Sequence, residues 1–415
     1  MNKKNLAIIL VLLTALSIFV VRDIKKARSA DDLESKLNIY LEVLDSVKND
    51  FVEKNTDNTK LMYGSIRGLL DSLDDPYTRF LDPTSYKEMK IRLSGSYSGI
   101  GIYIGMKEKQ IIVIAPIKET PAWKAGLKSK DKIVAIDDKP TKDMALDQAV
   151  SLIRGPKGSI VDLSILRGDA KDPTSFMIPR EKIVIKSVET QTLEENIGYI
   201  KLNTFENESA ASDMAKALHD MLGHRVKGLI LDVRNNGGGL LQNAIEIGSM
   251  FMKDGVIVYT IDRDGKKETI SSTGNLVWDR PVVMLINESS ASASEILAGA
   301  LHDNQKAVLV GTNSFGKACV QNVKQLEDGS AILITIAKYL TPNGTDITKK
   351  GITPDYAVEI TTAEADAALQ AQEGLANVEK DPQLNKAVEV LKTLISDTGE
   401  MKKIMARRVS AVPVK

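Results

Sequence analysis

The sequence predicts a multidomain chain of mixed α and β structure, and three observations carry this prediction. The chain has 415 residues, which is long enough for two or three domains. Residues 190–358 alternate buried-strand patterns with amphipathic-helix patterns, as α/β layers do. Residues 94–170 instead contain short strand patterns that are separated by turns, which is typical of a compact β-rich module. We therefore expect one α/β core and one smaller β-rich domain.

The composition is that of an ordinary globular protein, with 43% hydrophobic and 27% charged residues. Lys+Arg and Asp+Glu both number 55, so the charge balance gives no reason to expect a nucleic acid as partner. A single cysteine, Cys319, excludes an internal disulfide and a cysteine-rich metal site. His219 and His224 are spaced for different faces of a helix, and no HExxH pattern occurs. We expect neither a metal nor a cofactor.

The N-terminus has the pattern of an export segment. Lysines precede an uncharged, mostly apolar run at residues 6–21, and a charged stretch follows at residues 22–26. Only residues 27–30 offer a cleavage motif, and it is a weak one. We therefore favour a retained signal anchor over a cleaved signal peptide. Either alternative places the globular part outside the cytoplasmic membrane, in the periplasm or cell envelope, and the anchor would keep it membrane-associated.

Periodicity and punctuation divide the remainder of the chain. Helical spacing of apolar residues runs through residues 32–70, and the pattern returns at residues 384–395. Residues 361–380 are rich in Ala and Glu, which predicts a linker or a loose helix. The predicted regions are the export segment, an N-terminal helical region, the β-rich domain, the α/β core and a C-terminal helical region: residues 1–30, 31–90, 91–180, 181–360 and 361–415.

The β-rich module has the element order of a peptide-binding domain. A glycine loop runs into an alternating strand, a helix is expected at residues 146–153, and a last strand at residues 159–166. A GxG pattern alone is weak, because many tight turns use glycine. The full order, with the phrases PAWKAGL and DKIVAID, resembles a PDZ domain. The resemblance implies that a peptide tail adds to the sheet edge and that the loop binds its terminal carboxylate. The residues implied are Gly99, Ile100, Gly101 and Ile102.

The segment NESSASASEIL places alternating serines at the start of an apolar helix pattern. Each of Ser290, Ser292 and Ser294 is a candidate nucleophile, and each could equally be a helix N-cap. A serine hydroxyl needs a base, and no histidine lies in a segment of catalytic character. Lys317, on a glycine-flanked turn, is the candidate. A lysine acts as a base when burial lowers its pKa from about 10.4 towards neutrality, so Lys317 must be enclosed.

Three phrases together resemble the active-site block of the C-terminal processing peptidases, also called tail-specific proteases. They are NESSASASEIL, GTNSFGKACVQ and DVRNNGGGLL, and the wider resemblance runs from about Asp31 to about Val358. Members of this family are serine proteases with a Ser–Lys pair and an inserted PDZ domain. The resemblance implies a crotonase-like α/β protease core, with helical segments at both ends of the chain. It also implies Ser292 as nucleophile, Lys317 as base and Gln321 as the residue that orients the lysine.

The resemblance assigns further residues around this pair. The main-chain N–H of Ala293 is expected to serve an oxyanion hole, together with Gly238 or Gly239, which the sequence does not separate. Gln321 would lie on one helix face with Lys317, or near it across a turn. Arg154 either couples peptide binding to the protease core or is an ordinary solvated arginine.

Glu295 and Asp303 match acidic positions of the family block, and we expect them to fix local structure. Cys319, two residues after the candidate base, would make activity thiol-sensitive or would be a buried, inert side chain.

The leading interpretation is an exported serine endopeptidase that binds protein substrates by their C-terminal tails and cleaves through an acyl-enzyme. An inactive PDZ scaffold that regulates another protease is the alternative, because the family usually has Gly at Ser289 and Gly-Ser at Ala318 and Cys319. A crotonase-like acyl-CoA enzyme would share the core, but the PDZ domain and export segment disfavour it. The family resemblance also implies that the terminal helices could form a homodimer.

Overall fold

The computed structural model describes residues 33–107, 110–168, 170–361, 376 and 378–397. The chain divides into two compact units, Met1–Leu73 and Asp74–Lys415. Within the described residues, no helix is both long enough and apolar enough to cross a membrane. The predicted export segment lies outside the described residues, as does most of the linker predicted at residues 361–380.

The first unit is helical, as its periodicity predicts. Helix α1 covers residues 33–50 and helix α2 covers Asn58–Asp71. Asp57 is the N-cap of α2, and its carboxylate accepts hydrogen bonds from the main chain of the first turn. The Tyr40 hydroxyl of α1 donates to Ser65 Oγ of α2 at 3.0 Å.

The second unit contains the sheets and the remaining helices. Its strands, in chain order, are β1 (Arg79–Leu81), β2 (Ser96–Gly99), β3 (Ile102–Lys107), β4 (Gln110–Pro116), β5 (Lys132–Ile136), β6 (Lys139–Pro140), β7 (Ile160–Leu166), β8 (Thr174–Pro179), β9 (Glu181–Val184), β10 (Val188–Leu193), β11 (Ile197–Leu202), β12 (Gly228–Asp232), β13 (Val256–Asp262), β14 (Lys267–Ser271), β15 (Val282–Ile286), β16 (Ala307–Gly311), β17 (Cys319–Gln325), β18 (Ala331–Leu340) and β19 (Tyr356–Ala357). Its helices are α3 (Pro83–Leu93), α4 (Pro121–Lys124), α5 (Leu146–Ile153), α6 (Ala210–Gly223), α7 (Leu241–Ser249), α8 (Ala293–Asp303) and α9 (Pro382–Ser396).

The β-rich domain is an antiparallel sheet of order β3-β4-β5-β7-β8, with β6 paired to β5. Helix α5 has the bounds that the sequence predicts, and its buried Ala149 and Ile153 share a core with Ile100, Ile133 and Val161. Strand β8 extends the domain beyond the last predicted strand. Strands β2 and β9 pair as a separate antiparallel ribbon, through which the chain enters and leaves the domain.

The α/β core is built on a sheet of order β10-β11-β12-β15-β16-β19, parallel except for β10. Strands β12, β15 and β16 are buried along their whole length, as expected for parallel strands covered on both faces. One face packs on α6, α7 and α8, and the other packs on α9. The predicted α/β layering is therefore present, and α9 packs on the core itself.

A second core sheet, of order β1-β18-β13-β14 with β17 on β18, is antiparallel. Its strand β1 lies inside the region predicted to be helical, and it pairs with Leu333–Ala331 of β18. A strand of three residues is too short to show a period, and its partner lies far along the chain. The predicted helical region therefore also contains this short strand, which lies after the residues 32–70 that show helical periodicity.

Candidate active site

Ser292 lies at the junction between β15 and α8, in a strained main-chain conformation. Its φ is 55° and its ψ is −113°, which a residue with a Cβ rarely adopts. The strain is held by hydrogen bonds on both sides of the residue. The Ser292 N–H donates to Glu295 Oε2 at 2.9 Å, and the Ile296 N–H donates to the Ser292 carbonyl at 2.9 Å. The side chain is thus presented at the start of the helix.

The contacts separate the three candidate serines, which the sequence left open. Ser290 is buried, and its hydroxyl donates to the Val233 carbonyl at 2.9 Å. Ser294 is buried too, and it donates to the Asn236 carbonyl at 2.8 Å. Ser292 is half-buried and is the N-cap of α8, a position at which its oxygen can accept from the first turn, but within the described residues its hydroxyl donates to no carbonyl. Ser292 is therefore the member of the three whose hydroxyl is available for other chemistry.

Lys317 is half-buried, as expected for a lysine that acts as a general base. It follows Gly316, whose φ of 87° and close approach to the Lys350 N–H leave no room for a Cβ. The Lys317 Nζ donates to Gln321 Oε1 at 2.8 Å and lies 4.8 Å from the centroid of the Tyr77 ring. Burial lowers the pKa of Lys317. The amine is therefore biased towards the neutral form that can accept a proton.

Gln321 reaches Lys317 from a strand, so the helical alternative was wrong. Residues four apart in a regular strand lie about 13 Å apart, which is too far for this contact. Lys317 precedes β17, and the pairing of β17 with β18 shifts register between Val320 and Gln321, so the segment between the two residues is not a regular strand. The amide then bridges two groups: Oε1 accepts from Lys317, and Nε2 donates to the Tyr77 carbonyl.

Glu295 joins the segment of the serine to the segment of the lysine. Its side chain is buried, and its carboxylate accepts four hydrogen bonds. Oε2 accepts from the Ser292 and Lys317 N–H groups, both at 2.9 Å. Oε1 accepts from the Ser314 hydroxyl and the Gly316 N–H, both at 2.6 Å. The expectation that Glu295 fixes local structure is confirmed by these contacts.

Asp303 has a similar structural role at the other end of α8. Its Oδ2 accepts from the Asn343 N–H at 2.9 Å, and its Oδ1 lies 3.1 Å from His302 Nδ1. These contacts connect the helix to the turn after β18. The acidic positions that match the family block thus hold α8 in place at both of its ends.

Tyr339 also contacts both segments, and this contact was not predicted from the sequence. Its buried hydroxyl reaches the Lys317 carbonyl and lies 3.2 Å from the Ser292 carbonyl. Tyr77, which covers the Lys317 amine, was missed for the same reason. Both aromatic residues lie far from the serine in the chain, and no local pattern marks such contacts.

The triple-glycine turn lies directly against the serine. Gly238 has a φ of 94°, and a Cβ there would lie 2.8 Å from the Ala293 nitrogen and 2.9 Å from the Ser292 Cβ. Gly239 has a φ of 147°, and a Cβ would lie 2.2 Å from the main chain of Phe205. Only glycine fits such an approach of two main-chain segments.

The main-chain donors of this turn differ in how they are used. The Gly238 N–H donates to Asn236 Oδ1 at 2.9 Å. In the part of the chain that the structure describes, the N–H groups of Gly239 and Ala293 donate to no other group. Both groups are available to an oxyanion, and Gly238 in this conformation is not.

The predicted peptide-binding loop joins β2 to β3 and is held by hydrogen bonds and by a buried side chain. Gly99 ends β2, and Ile102 begins β3, the strand on which α5 packs. The Gly101 carbonyl accepts from the Ile117 N–H at 2.9 Å and from the Thr120 hydroxyl at 3.1 Å. Ile100 anchors the loop in the domain core, where its side chain is completely buried.

Arg154 is not a solvated arginine, so that alternative was wrong. It follows α5, its guanidinium pairs with the Glu88 carboxylate of α3, and it stacks 4.5 Å from the Tyr97 ring of β2. Burial lowers its pKa. Arg154 therefore connects the β-rich domain to the helix and ribbon that lead into it.

Within the described residues, no cluster of His, Cys, Asp or Glu side chains is arranged to hold a metal ion. The single thiol, Cys319, is half-buried on β17, and burial raises its pKa. A raised pKa lowers the fraction of thiolate, which is the reactive form of a cysteine.

Comparison with known families gives consistent matches along the chain. Residues 196–358 match Peptidase family S41, residues 112–167 match the PDZ domain, and residues 19–85 match the Activating protease CtpB N-terminal domain. A putative S41 protease from Bacteroides fragilis has a TM-score of 0.53 at 17% identity, over 79% of this chain and 90% of that one. At this identity the likeness shows the fold alone.

Two relatives show the family directly. The carboxyl-terminal-processing protease of Synechocystis sp. is 40% identical over 319 residues, which cover 75% of this chain and 74% of that protein. The carboxy-terminal processing protease CtpB of Bacillus subtilis is 39% identical over 357 residues, covering 85% of this chain and 74% of that protein. With an S41 match over the α/β core and a PDZ match inside the β-rich domain, the chain belongs to the carboxyl-terminal processing protease family.

Proposed function

We propose that this protease is a serine endopeptidase in which Ser292 is the nucleophile and Lys317 is the general base. The observation that carries the proposal is the buried carboxylate of Glu295. One of its oxygens accepts the N–H groups of both residues, so the two segments meet at one place. The available hydroxyl of Ser292 and the lowered pKa of Lys317 support the same roles.

In the proposed acylation step, the Ser292 Oγ attacks the carbonyl carbon of the scissile bond while the Lys317 Nζ takes the hydroxyl proton. A neutral lysine amine has two hydrogens and one lone pair. Since one hydrogen is donated to Gln321 Oε1, Gln321 restricts the directions in which the lone pair can point. The C–N bond then breaks, and Lys317 returns the proton to the leaving amine. The product is an ester on Ser292.

The negative charge of the tetrahedral intermediate needs main-chain donors. We assign this role to the N–H groups of Ala293 and Gly239, because neither donates to another group of the described chain. The start of α8 adds the positive end of a helix dipole. In the deacylation step a water molecule attacks the ester, Lys317 takes its proton, and Ser292 leaves with that proton.

The PDZ domain is proposed to select substrates by their C-terminal tails. The loop of Gly99, Ile100, Gly101 and Ile102 would bind the terminal carboxylate, and the tail would lie along β3 beside α5. Arg154 would pass on tail binding through its contacts to Glu88 and Tyr97, because these lie on the elements that connect the domain to the core. We further propose that residues 1–30 export the protein and retain it at the cytoplasmic membrane.

The test is cleavage of an unstructured protein with an apolar C-terminus by the wild type, Ser292→Ala and Lys317→Ala. We expect both variants to be inactive. The matched controls are Ser289→Ala and Lys324→Ala, which alter exposed side chains near the two residues and should cleave like the wild type. Equal cleavage by all the proteins would contradict the dyad. An inactive wild type that still binds tails would instead favour the scaffold alternative.

A further inference from the structure

Tyr77 contacts the candidate base and its orienting residue at the same time. The Lys317 Nζ lies 4.8 Å from the Tyr77 ring centroid, which is within the range of a cation–π interaction. The Tyr77 carbonyl accepts a hydrogen bond from Gln321 Nε2, and Gln321 Oε1 accepts from the Lys317 Nζ. The ring, the amide and the amine therefore form one closed set of contacts.

The turn that contains Tyr77 is held firmly. The Asp75 carboxylate accepts from the Tyr77 N–H at 3.1 Å and from the Thr78 hydroxyl at 2.6 Å. The same hydroxyl accepts from the Thr335 N–H of β18 at 3.0 Å. Since β18 also pairs with β17, which contains Gln321, the ring and the amide are positioned by the same sheet. Burial raises the pKa of Tyr77, so its phenol stays neutral at physiological pH.

The ring acts on Lys317 in two opposite ways. Its π face attracts an ammonium group, while its bulk excludes water and so favours the neutral amine. The other titratable groups that face the amine are Cys319 on β17, Arg79 on β1, Asp75 and Glu295. Arg79 favours the neutral amine, whereas the carboxylates of Asp75 and Glu295, and Cys319 when it is a thiolate, favour the charged form. The position of the ring therefore affects the equilibrium between the neutral and the charged form of the Lys317 amine.

We propose that Tyr77 is a positioning residue for catalysis, which holds the Lys317 amine by its ring face and Gln321 by its carbonyl. This inference rests on the proposed role of Lys317 as base. Every side-chain substitution at position 77 keeps the main-chain carbonyl, so variants isolate the contribution of the ring.

Two measurements test the proposal on the full chain. The first is kcat/KM for casein as a function of pH, whose acid limb reports the group that must lose a proton. The titration of casein itself is common to all variants. The second is trace labelling with acetic anhydride, followed by mass spectrometry of the Lys317 peptide. Only a neutral amine attacks the anhydride, so the labelling rate against pH reports the Lys317 pKa without needing turnover.

The variants have opposite expected shifts. Tyr77→Phe keeps the ring face and should resemble the wild type. Tyr77→Leu keeps most of the bulk but loses the π face, so the acid limb and the labelling midpoint should move down by about one pH unit. Tyr77→Ala admits water to the amine, and both should move up, since burial is the main cause of the lowered pKa. A residue that only fills space would give no shift with Leu.

Tyr259→Leu is the matched control, because Lys267 lies 3.6 Å from that ring on the β13–β14 pair. This variant should have the same acid limb of the pH profile of kcat/KM as the wild type. Thermal unfolding of each variant identifies a folding defect, and the labelling readout remains usable on weakly active proteins.

The outcomes separate this inference from the dyad. If Lys317→Ala is inactive and the Leu and Ala variants keep the wild-type midpoint, the role of Tyr77 is overturned and the dyad stands. A Phe variant that shifts as far as Leu would also overturn it, since the hydroxyl rather than the ring would act. If Lys317→Ala cleaves casein like the wild type, the proposed base is wrong.

Discussion

Individual hydrogen bonds decide the roles of residues that look alike in the sequence. Ser290, Ser292 and Ser294 have the same side chain and alternate in one segment, but two of the hydroxyls are consumed by main-chain carbonyls. Likewise, an acidic residue three positions after the serine could be an ordinary helix-start carboxylate, yet Glu295 is buried with four donors around it.

Replacing each serine should separate structure from catalysis. Ser290→Ala leaves the buried Asn287 N–H without its partner and removes one of the two donors to the Val233 carbonyl, so the free energy of unfolding should fall by about 1–3 kcal/mol. Ser292→Ala removes only the N-cap oxygen of α8, so it should lower the free energy of unfolding by no more than about 1 kcal/mol while abolishing cleavage. Urea denaturation and casein cleavage measure the two effects. Equal stability losses in both variants would contradict the distinction.

Glu295→Gln should damage both stability and activity. The amide replaces one accepting oxygen with an NH₂ group, which then faces the donors of Ser292 and Lys317, or those of Ser314 and Gly316. We expect the free energy of unfolding to fall by about 2 kcal/mol, measured by urea denaturation.

The control for this prediction is Glu288→Gln, an exposed carboxyl with one hydrogen bond to Thr312. This variant should unfold at the same urea concentration as the wild type. The prediction is wrong if Glu295→Gln also keeps the wild-type urea midpoint.

At the scale of elements, patterns with a clear period were predicted well and contacts between distant segments were not. Helix α5 was expected, because apolar residues recur at helical spacing along its eight residues. Strands β12, β15 and β16 were expected because each is a continuous apolar run. Strand β1 is too short for an alternation of apolar and polar residues to be recognised, and it is identified as a strand by its pairing with β18. The placement of Gln321 beside Lys317 depends on an irregular turn and strand. The spacing of four residues also fits one face of a helix, so the sequence left both alternatives open.

The triple-glycine turn offers a test with an internal control. Gly238→Ala places a Cβ within 3 Å of Ala291, Ser292 and Ala293 at a left-handed φ, so it should disturb the serine and its oxyanion donors. We expect cleavage to fall by about 100-fold. Gly237→Ala meets no atom within 4 Å and should stay near the wild-type rate. Similar rates for the two variants would show that the turn does not contribute as described.

At the scale of the whole molecule, the proposed function places substrate recognition and cleavage in two different domains. The PDZ domain is joined to the core through the β2–β9 ribbon and α3, and Arg154 contacts both of these connecting elements. If the domain binds substrate tails as proposed, it would increase the local concentration of substrate at the core.

This arrangement predicts a dependence on the terminal carboxylate. Amidation of the C-terminus of a peptide substrate removes the charge that the Gly99–Ile102 loop is proposed to bind. We expect KM to rise by at least about tenfold while kcat changes little, because the chemistry at Ser292 is not altered. Steady-state kinetics on the matched peptides measures both constants. An unchanged KM would contradict tail recognition by this loop.

Removing residues 1–30 tests the proposed anchor. The full chain should sediment with membranes when it is expressed in bacteria, and the chain from residue 31 onwards should not, because the apolar run at residues 6–21 is absent from it. Cleavage of casein by the shortened protein serves as the control for folding. A full chain that stays in the soluble fraction would instead favour the cleaved signal peptide.

The sequence by itself determined the α/β class of the core, the PDZ-like order of the inserted domain and the family, because these depend on local periodicity and on contiguous phrases. It also narrowed the proposed nucleophile to three neighbouring serines, of which the family resemblance selects Ser292, and it named Lys317 as the proposed base. Only the tertiary structure decided which serine hydroxyl is available, which glycine N–H is unused and what surrounds the Lys317 amine. Those properties arise from contacts among residues that are distant in the chain, and burial and hydrogen bonding at such contacts leave no period in the sequence.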